Sequence, residues 1–250
     1  MDDRKRNNDD AAKQRVEMIE ELYRRYSVPQ GLAKRILFLR KKYLWLLIIG
    51  ATGLFKRILD IAVSVAMLIL LSPLFLIVAA LIKLTDGGPV LFWQSRVGKW
   101  GREFPFPKFR SMVLNAEELK AKLLEQSDHA DSRTFKMKKD PRITWLGRII
   151  RKLSIDELPQ LWNVLIGDMS LVGPRPPVPK EVSQYTLSDR RRLDVKPGLT
   201  CIWQISGRGD IPFPRQVELD VEYIESSSIW LDIVILVKTV PAVLFGKGAY

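Results

Sequence analysis

The chain almost lacks the side chains that most metal and redox chemistry uses, because it contains one cysteine, Cys201, and one histidine, His129. A single cysteine excludes an intramolecular disulfide and a cysteine-rich metal cluster. A single histidine excludes a histidine-cluster zinc site, a haem held by two histidines and any Ser-His-Asp triad that does not use His129. His129 lies in the polar run 126–132, which is typical of an exposed loop. Any chemistry must therefore use carboxylates, lysines and arginines, with room for a divalent metal held by oxygen.

Internal repeats and low-complexity linkers are also missing from the sequence. What is abundant is positive charge, since 40 Lys and Arg against 28 Asp and Glu give a formal net charge of +12. Such an excess indicates a polyanionic partner: nucleic acid, an acidic membrane face or a phosphorylated substrate. The chain has no recognisable nucleic-acid-binding motif and no interleaved aromatic platform, so we predict no nucleic-acid partner.

Two helices are predicted before residue 43. Apolar positions recur at helical spacing from Lys13 to Tyr26. From Leu32 to Lys42, basic and apolar residues form the pattern of a basic amphipathic helix on an anionic membrane surface. A solvated helix that packs on the same chain explains the second pattern equally well. The following segment, Tyr43–Phe55, is apolar but too short to cross a bilayer alone.

An uncharged run from Ile61 to Ile82 is long enough to span a membrane, but Ser72 and Pro73 lie at its middle. Proline removes a backbone donor and clashes with the carbonyl four residues earlier, so a kink or break is predicted there. Ser72 can supply one hydrogen bond to the freed backbone. Basic residues flank the run on both sides, whereas a simple span concentrates them on its cytoplasmic side. We therefore expect a re-entrant hairpin, with both ends cytoplasmic, rather than a kinked span.

Shorter elements are predicted after a turn at 86–89. Val90–Val97 and Phe104–Met112 favour two extended segments, which 98–102 joins into a hairpin. Three more helices are predicted: Glu117–Gln126, with Asn115 as its cap; a helix opened by Asp140 and Pro141, with an apolar face at Ile143, Leu146, Ile149, Ile150 and Leu153; and an interfacial or core helix, Ile229–Phe245.

Two adjacent carboxylates, Asp156 and Glu157, lie among basic residues. Ser154 followed three residues later by Glu157 fits a capping box, which would give the pair a structural role. Pro159 weakens that interpretation, because it would lie past the helix positions whose N–H is free anyway. A helix that begins near Leu158 and Pro159 places both carboxylates at its N-terminus, where a metal–phosphate complex is well accommodated. The residues alone leave the cap and the catalyst equally open.

A candidate phosphate-binding arginine, Arg175, stands between Pro174 and Pro176. Prolines on both sides fix the backbone, which suits a guanidinium held for a bidentate contact with phosphate or carboxylate. A rigid surface loop explains the same pattern equally well. The segments 196–198 and 206–209 are candidates for a polar loop pair around a ligand, although each glycine cluster is weak evidence alone.

Five segments of the chain carry a family resemblance. They are KRILDIAVSVAMLILLSPLF, PKFRSM, DPRITWLGRIIRKLSIDELPQLWNVLIGDMSLVGPRP, VKPGLTCIWQISGR and IWLDIVILVKT. In this order they closely resemble the bacterial sugar transferase family, the monotopic polyprenyl-phosphate hexose-1-phosphate transferases that begin glycan assembly. The resemblance covers residues 54 to 245 and leaves 1–50 outside it. Larger members carry several spanning helices and a nucleotide-binding-like domain at the N-terminus, whereas this chain has a charged segment and Tyr43–Phe55.

The resemblance implies a two-step phosphoryl transfer. Asp156 would attack the sugar-linked phosphorus of a UDP-sugar, UMP would leave, and undecaprenyl phosphate would accept the phosphosugar. The implied cofactor is Mg²⁺, held by Glu157 and Asp156. The stretch 203–208 favours a hexose over a modified amino sugar. The resemblance further implies that the membrane helix is broken at Ser72 and Pro73, and that the substrate and its phosphates are bound by Arg151, Arg175, Lys108, Arg110 and Asp232.

The predicted fold class is α-rich α+β: a monotopic membrane protein with a re-entrant helix broken at Ser-Pro, a small β-hairpin and surface-lying amphipathic helices. Its predicted parts are an N-terminal extension at 1–53, a re-entrant membrane helix at 54–85 and a catalytic domain at 86–250. That domain is expected to face the cytoplasm from the bacterial inner membrane and to initiate exopolysaccharide, capsule or O-antigen synthesis. The expected partners are a UDP-sugar, undecaprenyl phosphate and the phospholipid membrane, and a homodimer is left open. The alternative is a non-catalytic membrane-surface protein that recruits acidic partners or lipids.

Overall fold

The computed structural model describes residues 32–123 and 140–245, together with Glu17 and Glu21. The predicted helix Lys13–Tyr26 and His129 lie outside this described part, apart from Glu17 and Glu21, and so does the end of the predicted helix Glu117–Gln126. The chain divides into two compact units, Met1–Leu54 and Phe55–Tyr250. All of the candidate site residues belong to the second unit.

The first long element is helix α1, Leu32–Leu70. It joins the predicted helix Leu32–Lys42, the segment Tyr43–Phe55 and the first half of the apolar run, so the prediction of separate elements was wrong. The physical reason is that no proline occurs between residues 32 and 72, and an isolated glycine costs a helix only about 1 kcal/mol.

The break predicted at Ser72 and Pro73 is confirmed. Helix α2, Ser72–Asp86, follows α1 with Pro73 in its first turn, and the Ser72 hydroxyl donates to the Ile69 carbonyl at 2.8 Å. The segments Gly50–Leu70 and Ser72–Asp86 meet at a bend of 58°. Within the described residues, no single helix has the length and apolar character to cross a membrane, whereas this bent pair meets both criteria by length and composition alone.

The predicted turn and hairpin are also confirmed. Gly87 ends α2 in the left-handed conformation, at a φ of 70° that glycine adopts without steric cost. Strand β1, Leu91–Val97, then pairs antiparallel with β2, Glu103–Phe109. Phe104 and Phe106 alternate along β2 and are buried on one face of the strand, and Phe109, at its end, is buried in a separate apolar cluster.

A second, parallel sheet was not predicted. It pairs β3, Ser170–Val172, with β4, Gly198–Thr200. A Cβ added at Gly198 would lie 2.1 Å from the Gly173 backbone nitrogen, so the two backbones can approach only without a side chain there. The pairing of β3 with β4 places residues 196–198 beside the segment that leads into Pro174 and Arg175.

The remaining helices surround these two sheets. Helix α4 was predicted to open at Asp140 and Pro141, but it begins at Trp145, after its cap residue Thr144, whose hydroxyl accepts from the Gly147 N–H at 2.9 Å. Of the predicted apolar face, Leu146 and Ile150 are buried. The other described helices are α3 Ala116–Leu123, α5 Leu161–Ile166, α6 Pro179–Val182, α7 Leu187–Arg190, α8 Ile202–Ser206, α9 Phe213–Ser226 and α10 Ile229–Phe245, the last within the predicted range.

Two apolar clusters form the main core. One joins the hairpin to β3, α5, α9 and α10 through Phe104, Phe106, Leu161, Val164, Met169, Leu171, Val172, Tyr223 and Ile235. The other joins α2, β2 and α4 through Val78, Ile82, Phe109, Leu146 and Ile150. A 3₁₀ segment, Ile155–Gln160, connects α4 to α5 and packs against β2. The acidic pair, Asp156 and Glu157, therefore lies on a short segment between two packed clusters.

Polar contacts tie the start of the bent helix to the rest of the second unit. Arg57 donates to the carbonyls of Val164 and Leu165, at 2.6 and 2.7 Å, and so caps the last turn of α5. Buried Asp60 accepts from the Leu171 N–H at 2.9 Å. The helix thus contacts both sides of the short connection from α5 to β3.

A further contact forms what we call the anchor network, Lys56, Asp232 and Tyr223. Lys56 pairs with Asp232, and its ammonium also donates to the Tyr223 hydroxyl and the Val172 carbonyl, each at 3.1 Å. The Tyr223 hydroxyl lies 2.7 Å from Asp232 Oδ1. This network joins α1 to α9 and α10.

Candidate active site

The acidic pair is presented by strained backbone. Ser154 adopts the left-handed conformation, with φ 53° and ψ 22°, and makes no side-chain cap bond, so the capping-box interpretation was wrong. A serine at such φ costs on the order of 1 kcal/mol, which the surrounding packing must supply. The helical turn starts at Ile155, three residues earlier than predicted, because it is a 3₁₀ turn that tolerates Pro159. Both carboxylates still lie in the first helical turn, as predicted.

The Asp156 carboxyl is buried, with 7% of the residue exposed. Burial raises its pKa to about 6, and the adjacent Glu157 adds to the rise, while Lys108 and Arg151 oppose it. The carboxylate is therefore more basic than an exposed aspartate and still mostly ionised at neutral pH. These are properties that a carboxylate nucleophile needs.

The Glu157 carboxylate has the opposite character. Burial disfavours its charge, but Lys108 and then Arg175 outweigh burial and hold the pKa of Glu157 well below its usual range. Lys108 Nζ donates to Glu157 Oε1 at 2.7 Å. Two neighbouring carboxylates whose pKa values are driven apart are typical of groups with different catalytic roles.

Four arginines and a lysine surround the pair with positive charge. Arg151 ends α4 next to the acidic segment, and its charge acts on Asp156. Arg175 lies in the turn between buried Pro174 and Pro176, with its guanidinium 5.9 Å from the centre of the Trp203 ring. The structure thus brings three of the predicted residues, Lys108, Arg151 and Arg175, into the electrostatic environment of the acidic pair.

Sequence reasoning missed two of the arginines as site residues. Arg96, buried on β1, raises the local positive potential at Glu157. Arg208 has a φ of 51°, and burial lowers its pKa while Glu157 and Asp156 oppose the change. A signal existed for Arg208, because it lies in the loop 206–209 that the glycine pattern singled out. Arg96 carried no such signal, since an arginine in a strand normally faces solvent.

Two residues predicted to bind the substrate form ion pairs away from the acidic pair. Arg110 pairs with Asp86 at the end of α2, and Asp232 belongs to the anchor network. These contacts give Asp232 the partner that the sequence did not reveal. Substrate binding by Arg110 and Asp232 stays a prediction.

The donor set suits one kind of metal. In the described ranges, 32–123 and 140–245, no group of three or more His, Cys, Asp or Glu side chains could enclose an ion. Mg²⁺ does not require such a cage, because it keeps several waters and is commonly held by one or two carboxylates together with substrate phosphates. Asp156 and Glu157 fit that requirement, and Glu157 stays ionised for it.

Comparison with known proteins decides the family. The model of the family described as "Bacterial sugar transferase" matches residues 51–246. The chain belongs to the bacterial sugar transferase family. The range that this family model covers agrees with the range predicted from the five sequence motifs.

Similar members of the sugar transferase family come from several bacteria. The chain is 49% identical over 195 residues to "Galactosyl transferase CpsE" of Streptococcus agalactiae, covering 78% of this chain and 43% of that protein. It is 48% identical over 199 residues to "Undecaprenyl-phosphate galactose phosphotransferase" of Salmonella typhimurium, covering 78% and 41%. The chain thus spans about two fifths of these two relatives. "Exopolysaccharide production protein ExoY" of Rhizobium meliloti is 41% identical over 201 residues, 79% of this chain and 89% of that protein.

Proposed function

We propose that this sugar transferase moves a hexose 1-phosphate from a UDP-sugar to undecaprenyl phosphate, releases UMP and so initiates synthesis of an exopolysaccharide, capsule or O-antigen. The observation that carries the proposal is the acidic pair, whose two pKa values are driven in opposite directions inside a cationic site. The name of the Salmonella relative supports the acceptor and a hexose. A relative from Komagataeibacter xylinus, 44% identical over 210 residues, is named for glucose transfer to the same carrier.

Asp156 is the proposed nucleophile. Its carboxylate oxygen forms a bond to the sugar-linked phosphorus, and the bond from that phosphorus to the bridging oxygen breaks, so that UMP leaves with the bond electrons. An oxygen of undecaprenyl phosphate then attacks the same phosphorus and displaces Asp156, which regains its carboxylate. The product is undecaprenyl diphosphate sugar.

The residues around Asp156 bind the cation and the phosphates and do not form covalent bonds with the substrate. Glu157 and Asp156 would hold the divalent cation, which, when bound, offsets the charge of the diphosphate. Lys108, whose Nζ lies 2.7 Å from Glu157 Oε1, keeps Glu157 ionised. Arg151 and Arg175 add fixed positive charge for the phosphates. Fixed charges of this kind stabilise a phosphoryl-transfer transition state without reorganising.

The bent helix pair is the proposed membrane element. Large apolar side chains of α1 and α2 are exposed, among them Ile58, Ile69, Leu70, Leu76 and Leu84. An exposed apolar surface of this kind suits lipid, and the basic flanks favour the cytoplasmic side for both ends. We propose that the pair re-enters the bacterial inner membrane and that the catalytic part faces the cytoplasm. Labels before Lys56 and after Lys83 that are reached from opposite membrane faces would refute this topology.

The test of the nucleophile is Asp156→Asn in the full chain. With a UDP-hexose labelled in the β-phosphate, the wild type should retain label on the protein and release UMP, and Asp156→Asn should do neither. Asp194→Asn, at an exposed aspartate, is the matched control and should behave as the wild type. Labelling of Asp156→Asn at the wild-type level would refute the assignment.

A panel of UDP-sugars with undecaprenyl phosphate and magnesium identifies the donor. We expect UMP release with a UDP-hexose and less with UDP-linked modified amino sugars. Release with none of them, alongside salt-sensitive membrane binding, would favour the non-catalytic surface protein instead.

A further inference from the structure

Arg96 is a buried cation with an unusual set of partners. Only 7% of the residue is exposed, yet within the described part of the chain its guanidinium forms no ion pair with a carboxylate. Burying an unpaired charge is expensive, so such a residue needs a compensating role. Three other arginines buried to a similar degree each pair with an aspartate: Arg110 with Asp86, Arg142 with Asp140 and Arg192 with Asp220.

The hydrogen bonds of Arg96 lead to the turn that carries Arg175. Its Nη1 donates to the carbonyl of Pro176 at 3.0 Å, and its Nη2 donates to Gln94 Oε1 at 2.7 Å. The guanidinium carbon lies 5.1 Å from the centre of the Phe106 ring, within the range of a cation–π contact. Arg96 therefore connects the hairpin to the residue that follows Arg175.

Burial leaves Arg96 little access to a ligand, since 7% of the residue is exposed. Its Nε is buried without a hydrogen-bond partner, and each Nη atom donates one of its two N–H groups to the protein. Burial and then the nearby charge of Arg175 lower the pKa of Arg96 to about 10, while Glu181 and Glu157 oppose the change. Two like charges that repel across a turn are stable only if the fold holds both.

We propose that Arg96 is a positioning residue that acts through the Pro176 carbonyl to hold Arg175 ready for the diphosphate of the nucleotide sugar. The Trp203 ring also contacts Arg175, with its centre 5.9 Å from the guanidinium carbon. Arg175 is then held at its backbone and at its guanidinium before substrate arrives, which lowers the ordering cost of binding. This inference rests on the proposed function, because it assumes that Arg175 binds the diphosphate.

A double-mutant cycle tests the proposal with UDP as the probe. The dissociation constant is measured by titration calorimetry on the solubilised full chain in magnesium buffer, for the wild type, Arg96→Gln, Arg175→Ala and the double variant. Arg96→Gln should weaken UDP binding by about 30-fold in the wild-type background, within the coupling range of contacting residues. In the Arg175→Ala background the same change should weaken it less than about threefold, because the group that Arg96 positions is already absent.

Two further variants separate positioning from damage to the fold. Gln94→Ala removes an acceptor of Arg96 and keeps the guanidinium, so it should weaken UDP binding in the same direction, and this loss should also vanish with Arg175→Ala. Arg191→Gln, which removes an exposed arginine paired with Glu225, is the control and should leave binding unchanged.

Each outcome has one meaning. If Arg96→Gln weakens UDP binding equally in the wild-type and Arg175→Ala backgrounds, its effect is independent of Arg175 and the positioning role is overturned. If Arg96→Gln does not fold, the same comparison is made with Gln94→Ala. A wild-type protein that does not bind UDP would refute the proposed function instead, and that result is obtained before any variant is made.

Discussion

Two lysine–carboxylate pairs of similar chemistry have different surroundings in this protein. In the anchor network, the Lys56 ammonium contacts Asp232, the Tyr223 hydroxyl and a backbone carbonyl. Each charged group is thus surrounded by a group of opposite charge and by neutral polar groups, and the network joins three helices. Such an arrangement has little left to offer a ligand.

The pair Lys108–Glu157 is surrounded by further charge instead. Asp156 is adjacent in sequence, and the charges of Arg175 and Arg96 reach Glu157. Positive charge in excess of local carboxylates leaves this region ready for an anion, whereas Lys56 and Asp232 neutralise each other in the anchor network. The comparison indicates that unbalanced charge distinguishes the candidate site, and that the presence of an ion pair alone is not informative.

The largest expected effect is on catalysis at the unbalanced pair. Glu157→Gln should lower the rate of UMP release roughly 100- to 1,000-fold, because it removes the carboxylate that Lys108 keeps ionised for the metal–diphosphate complex. Steady-state UMP release measures it, with Glu225→Gln at an exposed pair as the control. A variant that keeps more than a tenth of wild-type activity would contradict the assigned role.

Replacing the aspartate by asparagine should change the free energy of unfolding in opposite directions in the two regions. Because burial raises the pKa of Asp156 to about 6, its folded form binds a proton more readily than the unfolded chain does. Protonated Asp156 therefore makes its full contribution to the free energy of unfolding below about pH 4, and this contribution is lost as the pH rises through 6. Asp156→Asn, which mimics the neutral form, should therefore exceed the wild type in stability at pH 7.5 by up to about 3 kcal/mol.

This difference is measured by urea unfolding in EDTA, and it should shrink towards zero as the pH falls to 4. A gap that does not change with pH would show that the carboxyl titrates as an ordinary aspartate.

The same chemical change in the anchor network should have the opposite sign. Asp232→Asn leaves the half-buried Lys56 ammonium without its counter-charge and should destabilise the protein by about 2 kcal/mol. Adding Lys56→Met should recover part of this loss, because it removes the unpaired charge. Urea midpoints of the single and double variants at pH 7.5 test both statements; a stabilised Asp232→Asn would abolish the contrast between the regions.

The smallest expected effect concerns the backbone that presents the acidic pair. Ser154→Gly should raise stability by about 0.5 to 1 kcal/mol, since glycine adopts the left-handed conformation without the steric cost that serine incurs. Ser226→Gly, in the last turn of a helix, is the control and should lower the midpoint slightly. A midpoint for Ser154→Gly below the wild type would show that the strain is not stored at this residue.

Local signals in the sequence were enough for much of this fold. The hairpin follows from alternation and a glycine-bounded turn, and the bend at Ser72 and Pro73 follows from the loss of one backbone donor. The acidic pair was singled out because Asp156 and Glu157 lie among basic residues and are followed by Pro159, and the family resemblance assigned their roles.

What the sequence could not predict depends on residues far apart in the chain. Strands β3 and β4 have three residues each, too few for a periodic pattern, and they pair because Gly173 and Gly198 permit close approach. Lys56 and Asp232 are separated by 176 positions, so no local pattern links them. The same holds for Arg96, whose importance becomes visible only once Pro176 lies beside it.

The burial of Asp156 also bears on the fate of a phosphosugar held on it. The adduct of the proposed mechanism is an acyl phosphate, an activated compound that water hydrolyses, and the two proposed substrates would bind in separate steps. With 7% of the residue exposed, little solvent reaches that carboxyl from the described part of the fold. Under the proposed mechanism, the same enclosure that makes ionisation of Asp156 costly would lengthen the lifetime of the adduct, and the sugar would be protected from hydrolysis until the lipid acceptor binds.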